Sequence, residues 1–290
     1  VRAASMKSTL IEVDLVQAEW VVTAYLAQDA RMLDIIKSGK DPHTETGHLI
    51  SGAPPNFIDY ESELVGHESD PDVISKHREN IVPCAYFLPR TMSIRQAGKK
   101  SNHGLNYNMG YRRFALENEL PEGDAKRIVD AYHSAYPGIR KRFHRMVELQ
   151  LREHQYLVNC FGQKGVFIGE IDVALLDAAY SFYPQSTVAD ITNKGMVSIH
   201  KTTVGPLHAV QLLLNGHDSL LLQALVLDHH DLYVKMVEVD KAMTTPATYH
   251  GHTFTIARSY KIGQTWGSMA EVQLNKDAVG EAWSVGAAAA

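Results

Sequence analysis

The sequence predicts an α+β fold, an antiparallel sheet backed by helices and interrupted by a long, mainly helical insertion. Three observations carry this reading. A β-prone run at residues 9–13 opens the chain and stops at an acid, Asp14. Much later comes Leu212-Leu213-Leu214, then Asn215-Gly216-His217-Asp218, then Leu220-Leu221-Leu222. Apolar runs joined by such turn residues mark two paired strands. Between these strand signals, apolar residues recur mostly at helical spacing.

The elements follow in order. After the opening strand, residues 19–36 read as one helix. A turn at 39–43 leads to a short helix at 44–50. Residues 52–90, rich in Pro, Asp, Ser and His, have weak periodicity and read as loops and short helices. Ser93 followed by Gln96 has the spacing of a capping box and starts the next helix. Helices at 124–136 and 139–154 are separated by Pro137-Gly138, a pair that breaks helical hydrogen bonding. Residues 156–169 read as a hairpin around Gly162, and 171–200 as mainly helical. The sharp hairpin at 210–222, a helix at 232–242 and a late strand at 252–262 complete the chain.

Composition bounds the function. The 290 residues are 45% hydrophobic and 21% charged, with a formal net charge of −5. No global basic field advertises nucleic acid, so any such contact must come from local patches. The two cysteines, Cys84 and Cys160, form neither a disulfide framework nor a zinc-site spacing, which fits a reducing, cytoplasmic setting. No apolar run approaches the roughly 20 residues that span a bilayer. No signal peptide is visible, and a start at Val close to the first strand reads as a piece of a longer protein.

Arg95, Lys99, His103 and Tyr107 recur every fourth residue. On a helix such residues stack along one face. Two cations followed by an imidazole and a phenol suit a ligand with phosphates at one end and a sugar and base at the other. Taken singly, the cations read as a solvated face and the tyrosine as core. Asp14 ends an apolar strand and Asp218 sits at the tip of an apolar hairpin. A carboxylate there costs desolvation energy unless it is paired or binds a cation. Singly, Asp14 reads as a helix N-cap and Asp218 as a turn residue. Side by side, they would hold divalent ions about 4 Å apart, as in-line phosphoryl displacement requires. Glu19 reads as an exposed helical acid and Gln185 as a capping or surface amide. The residues alone therefore reach metal-dependent phosphoryl transfer.

These residues also carry a resemblance. Asp14-Leu-Val-Gln17-Ala-Glu19 resembles the first motif of family A DNA polymerases. Arg95-x3-Lys99-x3-His103-Gly104-x2-Tyr107 resembles the second, on that family's nucleotide-binding fingers helix, and His217-Asp218-Ser219 resembles the third. Connecting pieces agree in order: Asp41-Pro42-His43-Thr44, Tyr136-Pro137-Gly138, Gln185 and Gly263-x2-Trp266-Gly267. The likeness is collinear over nearly the whole chain and reads as phage-type.

The resemblance implies a palm sheet bearing Asp14 and Asp218, with palm at 1–25 and 173–290, fingers at 26–172, and thumb and exonuclease domains absent. It implies a template-directed DNA polymerase that joins dNTPs to a primer 3′-hydroxyl and releases pyrophosphate. Two Mg²⁺ ions would be held by Asp14 and Asp218, with the Leu15 carbonyl as a backbone ligand. Arg95 and Lys99 would grip the triphosphate, and Lys99 would be the candidate proton donor to pyrophosphate. Tyr107 would pack near the templating position and contact Glu19, the steric gate against a ribose 2′-hydroxyl. Gln185 would donate to minor-groove acceptors of the primer–template. Gln17 and His217 would lie near the incoming nucleotide and the primer end. A processivity factor or the missing domains of a longer chain would be further partners, because without a thumb the grip on duplex DNA is weak.

Four positions depart from the family pattern. His103 stands for the usual Phe or Tyr, Ser219 for Glu, Asn108 for Gly and Ser181 for Asn; none is a principal metal ligand. A single-subunit RNA polymerase relative is the first alternative, and Glu19 speaks against it because a ribonucleotide user needs a small gate. A catalytically silent nucleic-acid-binding remnant is the second.

Overall fold

The computed structural model describes residues 8–65, 72–73, 76, 92–202 and 205–288. Cys84 and most of the expected loop region before Ser93 lie outside the described residues. In chain order the elements are β1 (Ser8–Leu15), α1 (Ala18–Ala27), α2 (Ala30–Lys37), α3 (Pro42–Ser51), α4 (Pro55–Val65), α5 (Ile94–Asn106), α6 (Tyr111–Glu117) and α7 (Glu122–Ala135). A π-helical segment, Ile139–His144, runs into α8 (Arg145–His154) and is followed by β2 (Tyr156–Val158), β3 (Lys164–Val166) and α9 (Val173–Lys201). Then come β4 (Val210–Asn215), β5 (Ser219–Leu225), α10 (His229–Met243), β6 (Ala247–Tyr249), β7 (His252–Phe254), β8 (Arg258–Gly263), β9 (Ala270–Val272) and α11 (Lys276–Ala288).

The chain forms two compact units: residues 1–19, 158–163 and 184–290 make one, and residues 20–157 with 164–183 the other. The first is built on a five-stranded sheet of order β4-β5-β1-β8-β9. Every pairing in it is antiparallel, so the expected α+β architecture with an antiparallel sheet is the one observed. The opening strand thus lies at the centre of the sheet, although it is the first element of the chain. Leu10, Ile11, Val13 and Leu15 are all buried, while Glu12 and Asp14 stay half-exposed. Helix α10 turns Leu232, Met236, Val239 and Met243 inward. It is tied to β8 by Asp240, which accepts from Arg258 Nε at 2.6 Å and from the Tyr260 hydroxyl.

The second unit is helical, and its α3–α5 packing is unusually close. A Cβ on Gly98 would collide with the His43 carbonyl and the Gly47 amide, so only glycine lets these two helices approach. The buried Asn102 of α5 holds the surrounding helices. Its Oδ1 accepts from Trp20 Nε1 at 3.2 Å, Thr46 Oγ1 at 2.9 Å and the Tyr132 hydroxyl at 3.1 Å. Its Nδ2 donates to the Pro42 carbonyl at 3.1 Å. A buried amide with both ends bonded fixes one arrangement of its neighbours.

Two sequence expectations need correction. The single helix at 19–36 is two, α1 and α2, because Gln28 adopts a positive φ of 47° and Asp29 caps a new helix at Arg31 and Met32. The late strand at 252–262 is also two, β7 and β8. The first pairs only with β6 and the second with β1 and β9. Alternation of side chains cannot reveal such a change of sheet. Within the stretch at 52–90, read as loops and short helices, residues 55–65 form the helix α4.

Candidate active site

In the first unit the site is built by strand register. Asp14 lies directly opposite Ser219 on β5 and Ser259 on β8. Directly opposed residues share a sheet face, so the carboxylate of Asp14 is flanked on both sides by small hydroxyl side chains. One residue further on, the Leu15 amide donates to the Asp218 carbonyl at 3.0 Å. Asp14 and Asp218 therefore stand at the same end of neighbouring strands. Asp14 is a strand residue, not an N-cap.

The hairpin tip that presents Asp218 is tightly closed. Gly216 N donates to the Ser219 carbonyl at 2.8 Å, and Asp218 N to the Gly216 carbonyl at 3.1 Å. Between them His217 takes a positive φ of 78°, a conformation uncommon for a residue with a Cβ. The Asn215 side chain accepts its amide at 3.1 Å and supports that turn. The His217 ring reaches Glu19, with Nε2 and Oε1 3.5 Å apart. Gln17 bridges β1 and α1, also at positive φ, 53°. Gln185 is exposed on α9 between the buried residues Pro184 and Ser186.

In the second unit, Ser93 caps α5 by accepting from Gln96 N at 3.1 Å, as its spacing predicts. Arg95, Lys99 and His103 lie along the more exposed side of that helix, whereas Tyr107 is its C-cap residue, just past the last turn. Lys99, His103 and Tyr107 line a cleft of about 420 Å³, together with Lys100, Met109 and Arg113. Arg95 is turned to Asp41 instead, with Nη2 and Oδ2 2.5 Å apart.

Asp41 and His43 are the site neighbours that sequence reasoning left without a role. Asp41 Oδ1 caps α3, accepting from His43 N at 2.6 Å and Thr44 N at 2.9 Å. Burial raises its pKa, but the Arg95 hydrogen bond and the Thr44 amide outweigh that and hold the carboxyl below its ordinary 3.8. His43 is pushed down from 6.5 to about 4, by burial first and then by the charges of Arg95, Lys99 and His103 against the pull of Asp41. His43, a neutral imidazole beside Arg95 and Lys99, belongs to the same electrostatic cluster. The signal for Asp41 was present, since Asp before Pro at a helix start is a capping pattern. For His43 nothing local distinguished it from a buried core histidine.

Among the described residues, no group of three or more His, Cys, Asp or Glu side chains gathers as a metal site. No helix there is long and apolar enough to cross a membrane.

Residues 85–268 match DNA polymerase family A. The thermostable DNA polymerase I of Thermus thermophilus is 24% identical over 221 residues, covering 74% of this chain and 22% of that protein. DNA polymerase I of Deinococcus radiodurans is 25% identical over 227 residues, covering 74% and 20%. That of Treponema pallidum is 26% identical over 229 residues, covering 76% and 20%. The chain thus spans about a fifth of the length of these relatives. Among solved structures, the POL domain of Pol1 from M. smegmatis, in complex with DNA primer-template and dNTP, shares the fold. Its TM-score is 0.67 at 19% identity, over 92% of this chain and 41% of that one. The matched segment takes in α5, the hairpin with Asp218 and the strands β5 and β8 beside Asp14, and the chain belongs to DNA polymerase family A.

Proposed function

We propose that the chain carries the palm and fingers of a phage-type, template-directed DNA polymerase, working in the cytoplasm on primer–template DNA and dNTPs. The first compact unit is then the palm and the second the fingers. The observation that carries the reading is the register of β1 with β5, which brings Asp14 and Asp218 to one end of the sheet.

The donor set fits a hard divalent cation such as Mg²⁺. The Asp14 carboxylate at the end of β1, the Asp218 carboxylate at the adjoining hairpin tip, the Leu15 carbonyl and small flanking serines would give oxygen ligands and room. Water and phosphate oxygens would complete the shell, as Mg²⁺ prefers. Two bound ions would supply stabilisation of the charge on the attacking and leaving oxygens.

The remaining roles belong to side chains. Lys99 neutralises the triphosphate and donates a proton to the departing pyrophosphate. Arg95 gives one N–H edge to Asp41, which orients the rest of its guanidinium toward phosphate oxygens. His103 and Tyr107 pack against sugar and base. Glu19, positioned by His217, excludes a 2′-hydroxyl; Gln185 reads the minor groove and Gln17 lies by the incoming nucleotide. The RNA polymerase alternative is not favoured, given the match to DNA polymerases and the bulk of Glu19. Both metal-binding acids and both phosphate-binding cations are present, which speaks against a silent remnant.

Primer extension tests this reading. With excess primer–template and Mg²⁺, the complementary deoxynucleotide is incorporated in preference to mismatched deoxynucleotides and to the matching ribonucleotide. Equal use of ribonucleotides would favour the RNA polymerase reading, and no incorporation with either Mg²⁺ or Mn²⁺ the silent one.

A further inference from the structure

The net charge of −5 leaves any nucleic-acid contact to local patches, and the densest basic run is used by none of the roles above. Arg140, Lys141, Arg142 and Arg145 fall within six residues, in and just after the π-helical segment Ile139–His144.

Lys141 and Arg142 line a cleft of about 480 Å³ with Gln28, Asp29, Arg31 and Gly138, all within the second unit. Among the described residues Asp29 is the one acid lining it, and its buried carboxylate is already engaged. Oδ1 accepts from Arg31 N at 3.1 Å and Met32 N at 3.3 Å, and Oδ2 from Gly138 N at 2.8 Å. The guanidinium groups are held in place. Arg142 Nη1 donates to the Gln28 carbonyl at 2.8 Å, and Arg31 Cζ lies 5.7 Å from the centre of the Tyr136 ring. A Cβ on Gly138 would fall 2.6 Å from the Ala27 carbonyl oxygen, so glycine is what lets the cleft floor close. Tyr136 is fully buried and no aromatic ring among the described residues lines the cleft, which leaves phosphate rather than base as the group the cleft suits.

We propose that this cleft binds the phosphodiester backbone of a single nucleic-acid strand, by charge and without reading sequence. The choice of a nucleic-acid strand as the anion rests on the polymerase reading. Contacts of this kind position a strand and carry no base information. They also make binding salt-dependent, by about 0.7 in the log–log slope for each single-strand phosphate neutralised.

The test is fluorescence anisotropy with a labelled oligothymidylate across a salt series. It compares the unaltered chain, the triple variant Arg31→Gln/Lys141→Gln/Arg142→Gln, and Lys141→Gln alone. The single variant guards against loss of the Arg142–Gln28 bond. The expected result is several-fold weaker binding by the triple variant, with a slope shallower by about 2, and a drop of about 0.7 for Lys141→Gln. Unchanged affinity and slope in both variants would overturn the proposal. Calorimetric titration with inorganic phosphate separates the other source of the same chemistry. Saturable phosphate binding lost in the triple variant, with oligothymidylate binding unaltered, would make this a free-phosphate site and also overturn it. Primer extension is scored separately: no incorporation alongside the expected slope change would strike the polymerase reading and leave the strand-binding cleft standing.

Discussion

The Leu15 amide donates to the Asp218 carbonyl at 3.0 Å, one step beyond the pairing of Asp14 with Ser219. This backbone bond joins the two acid-bearing positions without using either carboxylate. Chemistry and fold are therefore separable at this end of the sheet. An isosteric change of Asp14 or Asp218 to Asn leaves the ladder intact and alters only what the side chains can hold.

Asp41 joins the start of α3 to Arg95 of α5. Replacing it with Ala removes the cap on His43 and Thr44 and the partner of Arg95. Loss of about 1–3 kcal/mol in urea unfolding is expected. Its folded pKa lies below the unfolded one, so its contribution is present above the unfolded value and lost as pH falls through the folded one. Asp41→Asn should accordingly weaken the acid dependence of stability below pH 4 or so; a variant as acid-sensitive as the original protein would count against this.

His133 is buried with neither ring nitrogen hydrogen-bonded. Burial above all, then Arg140 and His144, push its pKa from 6.5 to about 3 against the pull of Asp130. His144, bonded to the Asn106 carbonyl, is pushed to about 4, again mainly by burial. Both folded values lie below 6.5, so the unfolded chain takes up protons first. Stability is then complete above pH 6.5 and falls as pH drops toward 3, by up to ~1.4 kcal/mol per unit for each group. His133→Phe should flatten part of that fall. Melting curves of the two proteins between pH 7 and 4, about the range of the effect, would show it; parallel curves would refute it.

Gly98 faces backbone atoms of α3, which cannot rotate away as a flexible side chain could. Gly98→Ala should cost about 2–3 kcal/mol or more and displace α5, with nucleotide affinity falling alongside stability. Gly123→Ala, where a Cβ meets nothing within 4 Å, is the matched control and should be neutral or slightly stabilising.

Glu19 sits at the start of α1 with its side chain largely buried and 3.5 Å from His217. Glu19→Ala opens space at the proposed gate. Ribonucleotide incorporation relative to deoxynucleotide should rise about tenfold or more, read from primer extension with each nucleotide alone. An unchanged ratio would remove Glu19 from the gate.

The sequence made the sheet legible where its patterns were local. The leucine runs around Asn215-Gly216 announced β4 and β5, and Ser93 with Gln96 announced the start of α5. It could not show that β1 is the central strand, because pairing with β5 and β8 joins residues more than 200 positions apart. The spacing of Arg95, Lys99, His103 and Tyr107 placed the first three on one helix. The bond of Arg95 to Asp41, and the hub role of Asn102, depend on side chains brought in from other helices. Those contacts leave no periodic trace.

Single-nucleotide incorporation by Asp14→Asn and Asp218→Asn tests the central claim most directly. It is measured at saturating primer–template and dNTP with Mg²⁺, beside urea unfolding of the same proteins. The expected result is a fall of roughly a thousand-fold in each variant, about 4 kcal/mol of lost charge stabilisation, with unfolding midpoints unchanged. A variant that stays folded and retains activity within a few-fold of the original would contradict the assignment of these two carboxylates.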